Sequence, residues 1–460
     1  MSPSEDQKPW IELENLVAES NGDALHEYLD TLSSAEIARS ISRLEEETQA
    51  TLLTILEPED AADLLEELPD AQGADIIEDL PAEQAAAIVD EMDSDHRVDL
   101  LGDMDESDAE AILAKMDPEE AQEARELLQY DPDTAGGIMV TEFVVYPHTL
   151  TVGDVLNDLR TNAEAYSDYG VQYAYVQSDT STLIGVLRLR DLVLSLSSKP
   201  IRELMIVNPI SVLDDAPLEE LEQTFDRFMF SGLPVVSHQG KLVGVVMRSD
   251  AEVAQTERSD RTFMRFSGII GGEELRTKPL GERTAQRLCW LVINLLLSLA
   301  AIVLIDRFKP TIESHLALAA LLPVLANLCG CSGNQAIAVS IREMTLGLIT
   351  SKDVFRVIRL EWFLGLINGI VVGVLLSFFM VLGGQLGIID PVNSPIIFGV
   401  VVGLSFALNT VLAVALGGAI PLVLKRLDVD PAVAAAPIMT TIVDICGFFI
   451  ILMLASHLLM

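Results

Sequence analysis

From Leu32 onward an apolar residue returns every twelve positions: Leu32, Leu44, Leu56, Leu68, Leu80, Met92, Met104, Met116 and Leu128. Between these markers lie short amphipathic stretches such as 74–80, and Pro or Asp follows several of them, as in Leu68-Pro69, Leu80-Pro81, Met92-Asp93 and Met104-Asp105. The spacing predicts short helices, capped by Asp or Ser and opened by Pro. Helices that short cannot bury an apolar face alone, so a fixed repeat of them predicts a helical solenoid.

Beyond 131 the pattern alternates helix and strand. Residues 151–160, 173–177 and 183–193 read as helix, strand and a strand running into a helix start. Residues 216–225, 232–237 and 241–250 repeat that plan, so two β-α-β-β-α copies are expected. A polar helical segment follows at 251–288, carrying Arg258, Arg261, Arg265, Arg276, Lys278, Arg283 and Arg287. Then come five apolar stretches near 289–305, 315–340, 360–382, 395–424 and 432–459, each long enough to cross a bilayer. The second and fourth are expected to be broken by Gly or Pro.

Charge sharpens the division. The 460 residues carry a formal net charge of −41, and residues 1–130 hold 38 Asp and Glu against 6 Lys and Arg. So acidic a surface repels nucleic acid and anionic headgroups and attracts cations. All four cysteines, Cys289, Cys329, Cys331 and Cys446, fall in the apolar part, so no disulfide framework is expected in the soluble part. The first residues have neither a basic start nor an apolar run, so no cleavable signal is expected. Loops 341–359 and 425–431 contain Arg342, Lys352, Arg356, Arg359, Lys425 and Arg426. The opposite side offers only Arg307 and Lys309. That bias predicts a cytoplasmic N-terminus and, after five crossings, a C-terminus outside.

The deepest ionisable residue is Asp444, near the middle of the last apolar stretch in Pro437-Ile438-Met439-Thr440-Thr441-Ile442-Val443-Asp444. A carboxylate at that depth is costly and marks an ion pathway or a buried partner. The second stretch carries Pro323, Asn327, Gly330, Gly333, Asn334 and Gln335, and broken helix there would free carbonyls as hard-cation ligands. Tight packing through small residues is the alternative. Magnesium fits a sparse ligand set, because it keeps its waters and is held by few carboxylates, here Asp444 with the Thr440 and Thr441 hydroxyls nearby. Glu361 either attracts cations or pairs with Arg359 or Arg356, and the pair is the expectation. An intramembrane metalloprotease is disfavoured, since no His-Glu-x-x-His occurs, and the sequence is read as a non-enzyme. An anion channel is disfavoured because the deep charge is acidic.

Taken together these segments resemble the MgtE family of magnesium channels and transporters, over nearly the whole chain. The resemblance rests on the acidic helical repeat, Asp131-Pro132-Asp133-Thr134-Ala135-Gly136-Gly137 leading to Phe143, and two strand pairs resembling tandem CBS domains. It rests also on the 268–274 junction, 287–291 and the Pro437–Asp444 motif. It implies a mostly α membrane protein with a cytoplasmic α-solenoid (1–130), an α/β tandem CBS pair (131–258), a connecting plug-like helix (259–288) and a pore domain of five transmembrane helices (289–460). It implies a homodimer in the plasma membrane, with Asp444 of each copy at one Mg²⁺ pore. Pro323, Asn327, Gly330, Cys331, Gly333, Asn334, Pro437, Thr440 and Thr441 are the expected pore lining.

The resemblance also implies cytoplasmic magnesium sensing, for which Asp95, Asp99, Asp103, Asp214, Asp215, Asp250, Glu252, Glu257 and Asp260 are candidate ligands by position alone, and ATP at the CBS pair through Asp191 and Asp250. Physics supports such a gate. Two carboxylates 4 Å apart repel by roughly 4 kcal/mol at an effective dielectric near 20. Bridging a few pairs therefore reaches the roughly 5.5 kcal/mol that carries a gate from 1:99 to 99:1. One departure stands out: the family's second-helix motif reads Gly-Gly-Asn-x-Gly-x-Gln, and here Cys329 and Cys331 replace its first Gly and its Asn. With Cys446 they open an alternative, transport of softer Co²⁺, Zn²⁺ or Cd²⁺; a non-transporting magnesium sensor is the other.

Overall fold

The computed structural model describes residues 8–459 except 164–165, 167–168, 170–171, 270–279, 388–393 and 428. They form two compact units, one ending at Ser259 and one beginning at Asp260.

The first unit begins with ten helices: α1 (Pro9–Glu19), α2 (Gly22–Leu29), α3 (Ser34–Ile41), α4 (Glu46–Ile55), α5 (Pro58–Glu66), α6 (Asp70–Glu78), α7 (Ala82–Val89), α8 (Ser94–Asp103), α9 (Glu106–Leu113) and α10 (Pro118–Leu127). From α4 onward each packs on the helix two further along, so alternate helices stack in two rows. The twelve-residue markers build the core. Leu44, Leu56, Leu68, Leu80, Met92, Met104 and Met116 are buried in it, and Leu32 and Leu128 pack against its edge.

The capping differs from expectation. Pro opens α5 and α10, but at Asp93 and Asp105, which precede α8 and α9, the side chain makes no cap bond. Instead a carboxylate 27 residues back takes the cap N–H. Asp93 N donates to Glu66 Oε1 (2.9 Å), Asp105 N to Glu78 Oε1 (2.8 Å), and Asp117 N to Asp90 Oδ2 (3.2 Å). The reason is the stacking: the end of one helix lies beside the start of the third helix along, so the repeat supplies its own acceptors.

Two small sheets follow. β1 (Val145–Pro147), α11 (Val152–Thr161), β2 (Tyr173–Gln177), β3 (Leu183–Arg188) and α12 (Leu189–Leu194) form the first copy. β4 (Ile206–Val207) pairs back onto β3, and β5 (Val212–Leu213), α13 (Leu218–Arg227), β6 (Gly232–Val236), β7 (Leu242–Met247) and α14 (Arg248–Phe266) form the second copy. The sheet orders are β1-β2-β3-β4 and β5-β6-β7, with a parallel pair and an antiparallel pair in each copy. The glycine of each Gly-Val strand has a packing reason. A Cβ at Gly185 would strike Met205, and one at Gly244 would strike Met139.

The second unit contains α15 (Leu280–Arg307), α16 (Lys309–Ser314), α17 (Ala317–Thr345), α18 (Val354–Gln385), α19 (Pro395–Arg426) and α20 (Pro431–Leu458). Five of these, all but α16, are long and apolar enough to cross a membrane, so the chain is a multi-pass membrane protein. The expected breaks are absent: α17 runs continuously past Pro323, Gly330 and Gly333, and α19 runs past Pro421. Small residues are used for close approach instead. Gly365, Gly369 and Gly373 of α18 meet backbone near Val411, Ala407 and Gly403 of α19, and Gly417 meets the carbonyl of Gly333. This is small-residue packing, which lets helices interlock where lipid offers no hydrophobic drive.

Candidate metal centres

Asp444 lies 13 residues into α20, about 20 Å along the axis, and is half-buried. Its Oδ1 is buried and meets no hydrogen-bond donor among the described residues. The Thr441 hydroxyl is spent on the carbonyl of Pro437 (2.8 Å). Pro437 and Thr440 fall seven and four residues before Asp444 and share its face.

The remaining pore-lining candidates split. Cys329 and Gly333 are buried toward α19 and α20. Asn327, Cys331 and Asn334 are exposed. Asn327 and Cys331 sit two residues either side of Cys329, about 200° round the helix, so they face away from α19. Pro323 shares their side, and Gly330 is buried beside open space. The expected pair of Glu361 with Arg359 or Arg356 is not formed. Glu361 Oε2 is buried without a partner among the described residues, and its Cγ lies over Gly418. The tight approach to Gly418 turns the side chain toward α19, away from its helical neighbours.

Sequence reasoning missed Asn409 of α19. It is fully buried, and neither amide atom has a nitrogen or oxygen partner among the described residues. A polar residue in the middle of an apolar span was the available signal.

In the soluble unit, Asp93, Asp95, His96, Glu142 and Asp250 line one cavity of about 170 Å³ with Tyr173 and Tyr175. Ser94 positions its rim: Glu142 takes hydrogen bonds from Ser94 N (3.2 Å) and Oγ (2.7 Å), and Thr141 N donates to Ser94 Oγ (2.9 Å). The acids are strained by burial and by one another. Burial, then Glu66, Glu142 and Asp95, push Asp93 up to about 7. Burial, then Asp70, Asp95 and Glu257, push Asp99 up to about 8. Asp95 and Glu66 are raised too, chiefly by burial. Burial opposes the charge on His96, but Asp95, Glu66, Asp70 and Asp99 outweigh it and raise that imidazole. A positive charge placed among these acids would offset their repulsion and lower each of these values.

Of the expected sensor acids, Asp95 and Asp250 line the cavity, and Asp99 and Glu257 interact beside it. Asp214 and Asp215 lie elsewhere, grouped with His238 on the surface. Glu252 is exposed and 3.9 Å from Arg248 Nη1. Asp103 ends α8 at the surface, and Asp260 is exposed in the second unit. The additional members, Asp93, His96, Glu142, Asp70 and Glu66, come from three helices and a loop, so no spacing in the chain announces them. The nucleotide candidates differ: Asp250 opens on the cavity, whereas Asp191 lies 3.3 Å from Arg188 Nε and 3.6 Å from Arg190 Nε.

Residues 322–454 match the family described as "Divalent cation transporter", 32–133 the "MgtE intracellular N domain" and 201–252 the "CBS domain". The chain is 32% identical over 341 residues to the magnesium transporter MgtE of Thermus thermophilus, covering 73% of this chain and 72% of the relative. It is 30% identical over 339 residues to that of Enterococcus faecalis, covering 73% and 71%. A crystal structure of the soluble part of a magnesium transporter matches 55% of this chain and 98% of its own, at 28% identity and a TM-score of 0.50.

Proposed function

Since the chain belongs to the MgtE family of divalent cation transporters, we propose that it carries Mg²⁺ across the plasma membrane and is gated by Mg²⁺ in the cytoplasm. The observation that carries this reading is the unmatched Asp444 oxygen halfway along a membrane helix. A hydrated Mg²⁺ held through its water shell needs few protein oxygens, and a carboxylate with a free lone pair supplies one at low cost to the ion's hydration. The exposed polar face of α17, with Asn327, Cys331 and Asn334, would be costly against lipid, which supports a second copy of the chain covering it. A homodimer would then set two Asp444 carboxylates on one pathway. The N-terminus is cytoplasmic and the C-terminus outside in this reading, from the Lys and Arg bias of the loops.

The parts divide as sensor (1–130), CBS pair (131–258), connector (259–288) and pore (289–460). The cavity acids repel when bare and draw together around a divalent ion, and α14 carries the chain from that unit onward. Within the second unit Arg265 of α14 reaches Asp430 (3.4 Å), whose Oδ1 caps α20 by accepting from Ala432 N (2.8 Å). The cap of the Asp444 helix is thereby tied to the end of α14. The CBS pair is read as a nucleotide site in which Asp250, facing the cavity, is the residue for an ATP ribose, with Asp191 its equivalent in the first copy.

The test is ion flux into liposomes for wild type and Asp444→Ala, with Mg²⁺, Co²⁺ and Zn²⁺ compared. Flux of Mg²⁺ above the other two, lost in the variant, is expected. Equal flux in both proteins removes Asp444 from the pathway, and none in wild type favours a non-transporting sensor.

A further inference from the structure

Three helices of the membrane unit bring together polar groups whose bonding is incomplete. Cys329 of α17 is fully buried, and its Sγ lies 3.6 Å from Thr410 Oγ1 of α19. Thr410 already donates its own proton to the carbonyl of Phe406 (2.9 Å), so toward Cys329 it accepts and the thiol donates. Asn409, next to Thr410, is 0% exposed, and neither amide atom finds a nitrogen or oxygen partner among the described residues. Its side chain hydrogen-bonds the Cys329 thiol, and the Asp444 carboxylate of α20 acts on that thiol through its charge. Gly447, one turn beyond Asp444, keeps room for the amide: a Cβ there would strike Asn409 Nδ2. A buried amide with no partner stronger than a thiol is costly, and one that merely filled space would be better replaced by an apolar residue.

We propose that Cys329, Asn409 and Asp444 form a capture site for a soft or borderline divalent cation of the Cd²⁺ or Zn²⁺ class, and that its occupation blocks the magnesium pathway. The donor set is one sulfur, the amide Oδ1 and the free carboxylate oxygen. Magnesium demands six oxygens in near-ideal octahedral array and gains nothing from sulfur, whereas a thiolate prefers softer metals and tolerates four ligands. On binding, the S–H bond breaks, the metal–sulfur bond forms and the proton leaves to water. Because the site takes Asp444 as a ligand, the block part of the proposal rests on the transport reading above.

The test uses the full-length protein with Cys289, Cys331 and Cys446 changed to Ala, so that Cys329 is the one remaining thiol. Mg²⁺ flux into liposomes is titrated with Cd²⁺, each variant being normalised to its own Cd²⁺-free rate. Adding Cys329→Ala is expected to raise the Cd²⁺ needed for half-block about tenfold or more, the scale of losing a metal-site group. Asn409→Leu is expected to raise it as well. Equal block with and without Cys329 overturns the proposal. A second measurement is independent of transport: equilibrium dialysis of Cd²⁺ against the detergent-purified protein. Bound Cd²⁺ is expected to fall by one equivalent per chain with Cys329→Ala and to fall with Asp444→Asn. Should wild type pass no Mg²⁺, the transport reading fails while dialysis still decides the site, and Cd²⁺ binding unchanged by Cys329→Ala overturns it.

Discussion

Carboxylates are crowded in one unit and solitary in the other. Asp93, Asp95, Glu142 and Asp250 share a cavity of about 170 Å³, with Asp99 and Glu257 interacting alongside. In the membrane helices Asp444 and Glu361 each stand apart with a buried oxygen that finds no donor among the described residues. Both arrangements leave negative charge unmet, but by different physics. In the soluble unit burial and mutual repulsion add, the penalty is spread over many groups, and no one acid is decisive. In the membrane the penalty falls on single residues. On the proposed function, the collective site would tune a concentration threshold and the solitary one would set whether an ion passes at all.

That difference is broken or sharpened first by moving charge without removing it. Asp444→Glu keeps the carboxylate and shifts it by one methylene. Mg²⁺ flux is expected to fall about a hundredfold, the usual cost of misplacing a key group by about 1 Å. Asp95→Glu, the same change in the crowd, is expected to leave maximal flux intact and to shift the Mg²⁺ concentration for protease protection of the soluble unit less than about threefold. Comparable effects at the two positions would erase the distinction.

Steric tolerance gives the next test. Gly417 lies against the carbonyl of Gly333, so Gly417→Leu forces α17 and α19 apart. It is expected to lower thermal stability of the membrane unit in detergent by about 3 kcal/mol, leaving Mg²⁺-dependent protease protection of the soluble unit unaltered. Loss of both together would show that the units do not fail separately.

Acidity probes the crowd. Asp93 and Asp99 have folded values of about 7 and about 8 against an ordinary 3.8, both raised. Their contribution to stability is therefore full below about pH 4 and is lost as pH rises through 7 to 8. Magnesium replaces the protons that leave, so the Mg²⁺-induced rise in melting temperature of the soluble unit should be larger at about pH 8.5 than at about pH 6. An equal rise at both values contradicts the assignment of these acids to a cation site.

Much of this architecture was legible in the chain because periodicity survives folding. The twelve-residue markers became the solenoid core, the two strand pairs became two sheets, and five apolar stretches became five long helices. Asp444 could be read because a charge in oil has few explanations. Where reasoning fell short, partners distant in sequence decided the outcome. Pro323, Gly330 and Gly333 of α17 looked like breaks, yet the helix runs on past all three, and Gly333 serves close approach to α19 and α20 instead. Asn409 drew no notice beside the run of small residues in α19, and its meaning depends on Cys329, 80 residues earlier. Glu142 and His96 join a cavity only after the loop at 140–144 meets α8. Asp214 and Asp215, although acidic and adjacent, sit apart with His238.

The smallest expected effect separates acids that hold the fold from acids that await an ion. Glu66 and Glu78 occupy equivalent positions in successive repeats, and each accepts the cap N–H 27 residues onward. Only Glu66 also feels Asp95 and His96 beside the cavity. Glu78→Ala removes a cap acceptor at the surface, a loss of about 0.5–1 kcal/mol. In a unit of this size that lowers the melting temperature by about 1–4 °C, and by the same amount with or without Mg²⁺. Glu66→Ala removes the same kind of cap and one negative charge near the cluster. Its melting temperature is expected to fall less, or to rise, in the absence of Mg²⁺, and the stabilisation gained from Mg²⁺ to shrink. Thermal melts of both variants across a magnesium titration decide the matter: parallel curves would mean that Glu66 is a cap and nothing more, and that the cluster stops at α8.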